Sequence, residues 1–208
     1  MRIGVVGGTF DPIHLGHIAM AEAAADCADL DEVFLVPAAM PPHKPGAAAP
    51  AEDRLEMSRL AIHGHRRLRI CDLELLRSGR SYTVDTLEEL ARERPHDQLF
   101  LVLGWDAARE LLTWREPERV LKLARLVIVN RPGLDAPEPD DLKAAGLDPA
   151  EAIVCDAQTP DINATEIRRR IETGGSLGGL LDPSVEAYVR RRHLYSANPG
   201  PSRHNRSY

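Results

Sequence analysis

Two glycines that end an apolar run, followed by a spaced histidine pair, constrain this chain more than any other feature. Ile3, Val5 and Val6 precede Gly7 and Gly8, and residues 7–17 read GGTFDPIHLGH before an alanine-rich helical stretch, Ile18 to Ala28. A strand, a glycine turn and a helix start in that order make an anion site. Glycine lets the backbone turn tightly and approach a ligand where a Cβ would intrude. The helix start adds unpaired N–H groups and the positive end of its dipole. His14 and His17 stand three residues apart, so they share one face of the first turn. No lysine follows the glycines, which excludes GxxxxGK[ST], and Gly4, Gly7 and Gly8 do not make GxGxxG. What remains is His14-Leu15-Gly16-His17. Imidazoles donate to phosphate oxygens and take up charge beside an anion, and Gly16 is expected to keep the space between them open.

Strand-like apolar runs recur at 3–6, 33–36, 68–73, 99–103, 126–129 and 152–155. Helical patterns fall between and after them, at 17–28, 51–63, 83–94, 106–112, 118–124, 164–173 and 183–193. That alternation predicts an α/β fold with a parallel sheet covered on both faces and C-terminal helices. Leu99 to Leu103 is apolar at every position, as a central strand should be. Segments 7–17, 104–106 and 130–133 each follow a strand directly, so the topology gathers them at one sheet edge, where ligands bind. Residues 37–50 are too rich in proline and alanine for regular structure, and 132–149 form an acidic connection with one short helical turn. Asp182 followed by Pro183 is a strong helix start. Residues 1–195 are expected to form a single domain, helical from about 160, and 196–208 a disordered tail.

The net charge of −6 over 208 residues disfavours nucleic acid as a partner. The run Arg190-Arg191-Arg192-His193 falls at a helix end, where cations suit the dipole. No apolar run approaches the roughly 18 residues that span a bilayer, so no membrane association is expected. The sequence opens on a strand pattern, so no signal peptide is expected. Cys27, Cys71 and Cys155 are odd in number and widely separated, with no zinc spacing; they are expected to be buried or incidental thiols of a cytoplasmic protein.

GGTFDPIHLGH resembles the signature of nucleotidyltransferases that carry (H/T)xGH on a Rossmann-like doubly wound fold. PPHK at 41–44, SYTVDTL at 81–87, GWD at 104–106, NRPG at 130–133 and NATEIR at 163–168 narrow this further. In that order they are similar to the bacterial nicotinate-nucleotide adenylyltransferases. The resemblance covers residues 1 to about 195 and implies one nucleotidyltransferase domain. It further implies adenylyl transfer from ATP to nicotinate mononucleotide, giving deamido-NAD and pyrophosphate, with magnesium arriving on the triphosphate and no metal ligands from the chain. A homo-oligomer is compatible with it.

The resemblance assigns His14, His17, Lys44 and Arg168 to the reacting phosphates, His17 nearest the α-phosphate and Arg168 on the leaving pyrophosphate. Gly8, Thr9 and Phe10 would bring backbone N–H groups to ATP. Gly104, Asp106, Arg131, Ile162 and Thr165 complete the nucleotide side, with Asp106 accepting from ribose hydroxyls. His43, Lys44, Thr86, Trp114 and Arg115 would hold the mononucleotide. Trp114 would stack on the pyridine ring. Backbone N–H groups near Thr86 and Arg115 would cradle its carboxylate without a charged clamp, with Tyr82, Thr83 and Asp85 as second choices. Two positions depart from the family pattern: Trp105 replaces a small residue, and Asn163 replaces serine. Asn163 still caps the next helix, and Glu166 is placed to complete a capping box.

Other readings keep the chemistry and change the acceptor to nicotinamide mononucleotide or phosphopantetheine, or make the chain a nucleotide-binding regulator without catalysis. A nicotinamide-dependent oxidoreductase would need GxGxxG and an acidic residue after the second strand, where Pro37 and Ala38 stand.

Overall fold

Side chains alternate between the two faces of the sheet along each apolar run, and burial of the apolar ones is what builds the fold. The computed structural model describes residues 1–40, 47–130, 136–157 and 159–196. Six parallel strands lie within them: β1 (Arg2–Gly8), β2 (Glu32–Pro37), β3 (Leu68–Ile70), β4 (Gln98–Gly104), β5 (Ala124–Val129) and β6 (Ala152–Cys155). Their order across the sheet is β3-β2-β1-β4-β5-β6. Connections run one way from β1 and the other way from β4. The crevice between those two strands is therefore the switch point where doubly wound sheets take ligands.

Ile3, Val5, Phe34, Val36, Leu99, Leu101, Leu103, Leu126 and Ile128 pack on one face. Val6, Val33, Leu35, Phe100, Val102, Val127 and Val129 pack on the other. The first face is covered by α3 (Leu73–Leu76), α4 (Thr83–Glu93), α5 (Trp105–Ala108), α6 (Pro117–Leu123) and α7 (Pro139–Ala144). The second is covered by α1 (Leu15–Cys27), α2 (Ala51–Ala61), α8 (Ala164–Glu172) and α9 (Pro183–Arg191). Small side chains let α1 lie close to the sheet: Ala21, Ala24 and Ala25 are fully buried. Among the described residues no helix is long and apolar enough to cross a membrane.

Several local expectations change. The helix expected at 106–112 divides into α5 and a 3-10 turn, Leu111–Thr113. β3 stops at Ile70, and α3 takes up the end of the expected strand. Asp182 caps α9 as anticipated, accepting from the Ser184 N–H at 2.8 Å. In the basic run, Arg190 pairs with Glu186, and Arg192 reaches Asp53 on α2 at 3.1 Å. The tail beyond Ser196 lies outside the described residues.

The cysteine expectation is corrected. Cys27 and Cys155 form a disulfide, joining the end of α1 to the end of edge strand β6 with Cα atoms 5.8 Å apart. Spacing along the chain could not show this, because the two residues are 128 apart and meet only through the crossover topology. Cys71 is a buried free thiol. Alkylation of the denatured, unreduced protein is therefore expected to add one label by mass spectrometry, and three after reduction. Three labels before reduction would show the bridge to be open.

Candidate active site

The GGTF turn leaves β1 at the switch point, and its geometry is set by close packing. A Cβ on Gly8 would stand 2.7 Å from the Phe10 ring, which folds back over the turn and is 2% exposed. Phe10 itself takes a left-handed backbone, φ 49°, which few large residues adopt. Its ring meets the edge of His17 with centroids 5.0 Å apart.

His14 and His17 stack at 3.6 Å between ring centroids, so the shared face read from their spacing is realised. The backbone N–H of His14 donates to Nδ1 of His17 at 3.3 Å. An accepting Nδ1 puts the neutral ring's proton on Nε2, making that nitrogen the donor. Gly16 does not hold open a gap between the rings. A Cβ there would stand 3.1 Å from the His14 ring and 3.3 Å from the Pro160 carbonyl, so glycine permits tight packing instead.

Helix α8 delivers Arg168 to this turn. Its Nη1 donates to the Asp11 carbonyl at 2.7 Å, and its Nη2 to the Thr165 hydroxyl at 3.2 Å. Asn163 caps α8, accepting from the Glu166 N–H at 2.8 Å. The capping box is not completed: the Glu166 carboxylate turns to Arg169 and Arg170, which hold it far below the usual range, at about 2. Ile162 packs against the core of the α1 face. Gly104 caps α5 at the end of β4, and Asp106 is exposed one residue into that helix. Trp105 packs against the other core cluster and is no part of the cavity wall. His43, Lys44 and Arg131 lie outside the described residues.

Beside the turn a cavity of about 340 Å³ opens between β1, β2, β4 and α4, lined among others by Gly8, Thr9, Ala38, Tyr82, Thr83, Thr86, Trp114 and Arg115. Two parts of the sequence thus meet here: Gly8 and Thr9 belong to both the turn and the cavity. Arg115 lies over the Tyr82 ring at 4.7 Å and reaches Asp85 at 3.6 Å, linking the rim of the cavity to α4.

A residue that the sequence did not point to sits in the wall. Glu74, on the short α3, is 7% exposed and lines the cavity. Its Oε1 accepts from the Thr86 hydroxyl at 2.7 Å, and Arg77 donates to the same hydroxyl oxygen at 3.1 Å. The Thr86 N–H is spent within α4, on the Tyr82 carbonyl. The uncharged cradle expected around Thr86 is therefore corrected: its groups face a buried carboxyl. Burial pushes the Glu74 carboxyl up, against hydrogen bonds from Ser81 and Thr86 and the charge of Arg77, which pull it down. Nothing in the spacing around Glu74 marks it: it follows directly on the run read as strand, 68–73, at a position given to no element.

The raised carboxyl has a sign. Below the ordinary glutamate range the group is neutral whether folded or unfolded; as pH rises through that range, folding must bury a charge and loses stability. Glu74→Gln cannot ionise, so its stability relative to wild type is expected to increase as pH rises from about 4 through and above the ordinary glutamate range. Thermal unfolding of both proteins across that window checks it, and a constant difference would remove the burial cost.

Comparison with known proteins bears on this geometry. A family model described as Cytidylyltransferase-like matches residues 5–170. A Desulfatibacillum aliphaticivorans protein named "Probable nicotinate-nucleotide adenylyltransferase" is 42% identical, over 94% of this chain and all of its own length. A Thermus thermophilus protein of the same name is 45% identical, again over 94% of this chain and all of its own. Among solved structures, Plasmodium falciparum nicotinic acid mononucleotide adenylyltransferase complexed with NaAD superposes with a TM-score of 0.76 over 93% of this chain and 97% of that one. At 19% identity, that match speaks for the fold.

Proposed function

This chain belongs to the cytidylyltransferase-like family, among the nicotinate-nucleotide adenylyltransferases, and from that premise we propose that it transfers the adenylyl group of ATP to nicotinate mononucleotide. The products are deamido-NAD and pyrophosphate, and the reaction is a step in making NAD. We read residues 1–195 as one nucleotidyltransferase domain for this purpose. The observation that carries the proposal is the meeting, at one switch point, of a stacked histidine pair, an arginine and an aromatic-walled cavity.

A phosphate oxygen of the mononucleotide attacks the α-phosphorus of ATP as the bond to pyrophosphate breaks. No side chain needs to become covalently attached, so the protein's work is alignment and charge stabilisation. The His17 Nε2–H supports a phosphate oxygen at the reacting centre, with His14 stacked behind it. Arg168, held at the turn, faces the charge that grows on the leaving pyrophosphate. Lys44, His43 and Arg131 carry the same kind of role in this proposal. Asp106 and Gly104 serve the ribose, and Ile162 and Thr165 border the nucleotide. In the cavity Trp114 stacks on the pyridine ring, with Arg115 and Thr86 at its edge.

Magnesium, brought by ATP, would neutralise phosphate charge. The described groups at the turn are donors and cations suited to the phosphates, and the one acid there, Asp11, accepts from Ala48, Ala49 and Tyr195. The ion would accordingly be held by phosphate oxygens and water.

One observation favours a second acceptor. Glu74 and the Thr86 oxygen are acceptors, and an amide NH₂ would suit them better than a carboxylate would. Pyrophosphate release from ATP is the deciding assay, with nicotinate mononucleotide, its amide and phosphopantetheine compared side by side. The acid is expected to give the highest kcat/KM. A higher value for the amide would replace the acceptor, and one for phosphopantetheine, or no release with any, would overturn the proposal.

His17→Ala is expected to lower kcat by at least about a hundredfold, the scale of losing one preorganised donor in the transition state. Near-normal turnover would remove His17 from the chemistry. Trp114→Ala should weaken both pyridine mononucleotides by similar factors, since both rings present a π-face. Loss confined to one of them, read as KM, would contradict the stacking.

A further inference from the structure

Asp11 lies between the glycine turn and His14, is 6% exposed, and is an acid that the reaction does not use. Its carboxylate gathers three donors from distant parts of the chain. Oδ2 accepts from the Ala48 N–H at 2.7 Å, and Oδ1 from the Ala49 N–H at 3.0 Å. Oδ1 also accepts from the Tyr195 hydroxyl at 2.7 Å, across 184 residues. The Asp11 carbonyl receives Arg168. One residue thus fixes the nucleotide turn to the start of α2, to α8 and to the end of the described chain.

Tyr195 reaches this position through an uncommon backbone. It has φ 62° and His193 has φ 52°, both in the left-handed region. Non-glycine residues stay there only where their surroundings hold them, and such residues gather at functional sites. Burial and the neighbouring Asp11 charge push the Tyr195 phenol up, so it remains a donor throughout the working range of pH.

We propose that Tyr195 is a positioning residue for the triphosphate site, acting through Asp11 to hold the Thr9–Asp11 backbone and Arg168 in place. The proposal rests on the nucleotide reading of the turn given above. Tyr188 supplies the matching control. Its hydroxyl donates to Asp53 at 2.7 Å, a phenol–carboxylate bond of the same kind that ties α9 to α2 without touching the turn.

The test compares Tyr195→Phe with Tyr188→Phe by calorimetric titration with a non-hydrolysable ATP analogue, alongside KM for both substrates and thermal unfolding. Removing a hydrogen bond to a charged group costs about tenfold or more in whatever it supports. Tyr195→Phe should lose about tenfold in affinity for the analogue and in kcat/KM for ATP, with KM for the mononucleotide within about twofold of wild type. Tyr188→Phe should share any fall in melting temperature but keep the affinity. Wild-type affinity in Tyr195→Phe, or equal losses in both variants, would overturn the proposal by making the bond merely structural. A wild type that binds the analogue but releases no pyrophosphate would sink the assigned reaction, and the two variants would still decide the role of Tyr195. A wild type that does not bind the analogue overturns both.

Discussion

Arg54 is 1% exposed, and its guanidinium donates to the carbonyls of Thr9, Ala38, Ala39 and Ala49. Burying a cation is costly unless its hydrogen bonds are met, and here four backbone acceptors meet them. Desolvation lowers the Arg54 pKa from its ordinary value, while the Asp11 carboxylate works to keep the charge. Those carbonyls belong to the glycine turn after β1 and to both flanks of the segment between β2 and α2. The guanidinium and the Asp11 carboxylate are complementary: one collects carbonyls, the other N–H groups, from the same strands of chain. Removing Arg54 would leave its carbonyls without a donor, and removing Asp11 would leave its N–H groups without an acceptor. An irregular turn without a sheet ladder of its own therefore has a fixed shape.

The frame of the molecule was legible because it repeats a simple rule. Every strand run alternated between two faces, so six runs with helices between them allowed only a doubly covered parallel sheet. GGTFDPIHLGH was legible because its residues interact locally: the histidines stack across three positions and Phe10 covers Gly8 two residues away. The groups that escaped notice pair over long separations. Glu74 meets Thr86 only once α3 and α4 have packed side by side, and Asp11 meets Tyr195 only in the finished fold. Cys27 and Cys155 belong with them. Spacing reports on helical turns and strand pleats; it says nothing of what a crossover will bring together.

The site has two electrostatic characters that share a wall. At the turn, His14, His17 and Arg168 make a region fit for phosphates. Across Gly8 and Thr9, the cavity ends in Glu74, whose two hydroxyl donors and nearby Arg77 only partly offset its burial. A ligand lying across both would meet imidazole and guanidinium donors at one end and a buried carboxyl at the other. Asn163 shows how a change of residue can leave local structure intact: it supplies the same cap that serine would, because either side chain accepts from the third N–H of the helix.

The Cys27–Cys155 bridge also alters the chain as a polymer. It closes a ring that contains β2 to β6 and leaves two open arms, one bearing the nucleotide turn and the other α8 and α9. The contacts of Asp11 with Arg168 and Tyr195 are made between those arms. Without the bridge, bringing Asp11 to Tyr195 closes a loop spanning 184 residues. With it, the path runs from one arm to the other through the linked cysteines and shortens to roughly 60 residues, a saving in closure entropy of about 1 kcal/mol. A covalent link at the end of α1 thereby lowers the entropic cost of bringing the histidine turn together with α8 and the segment after α9.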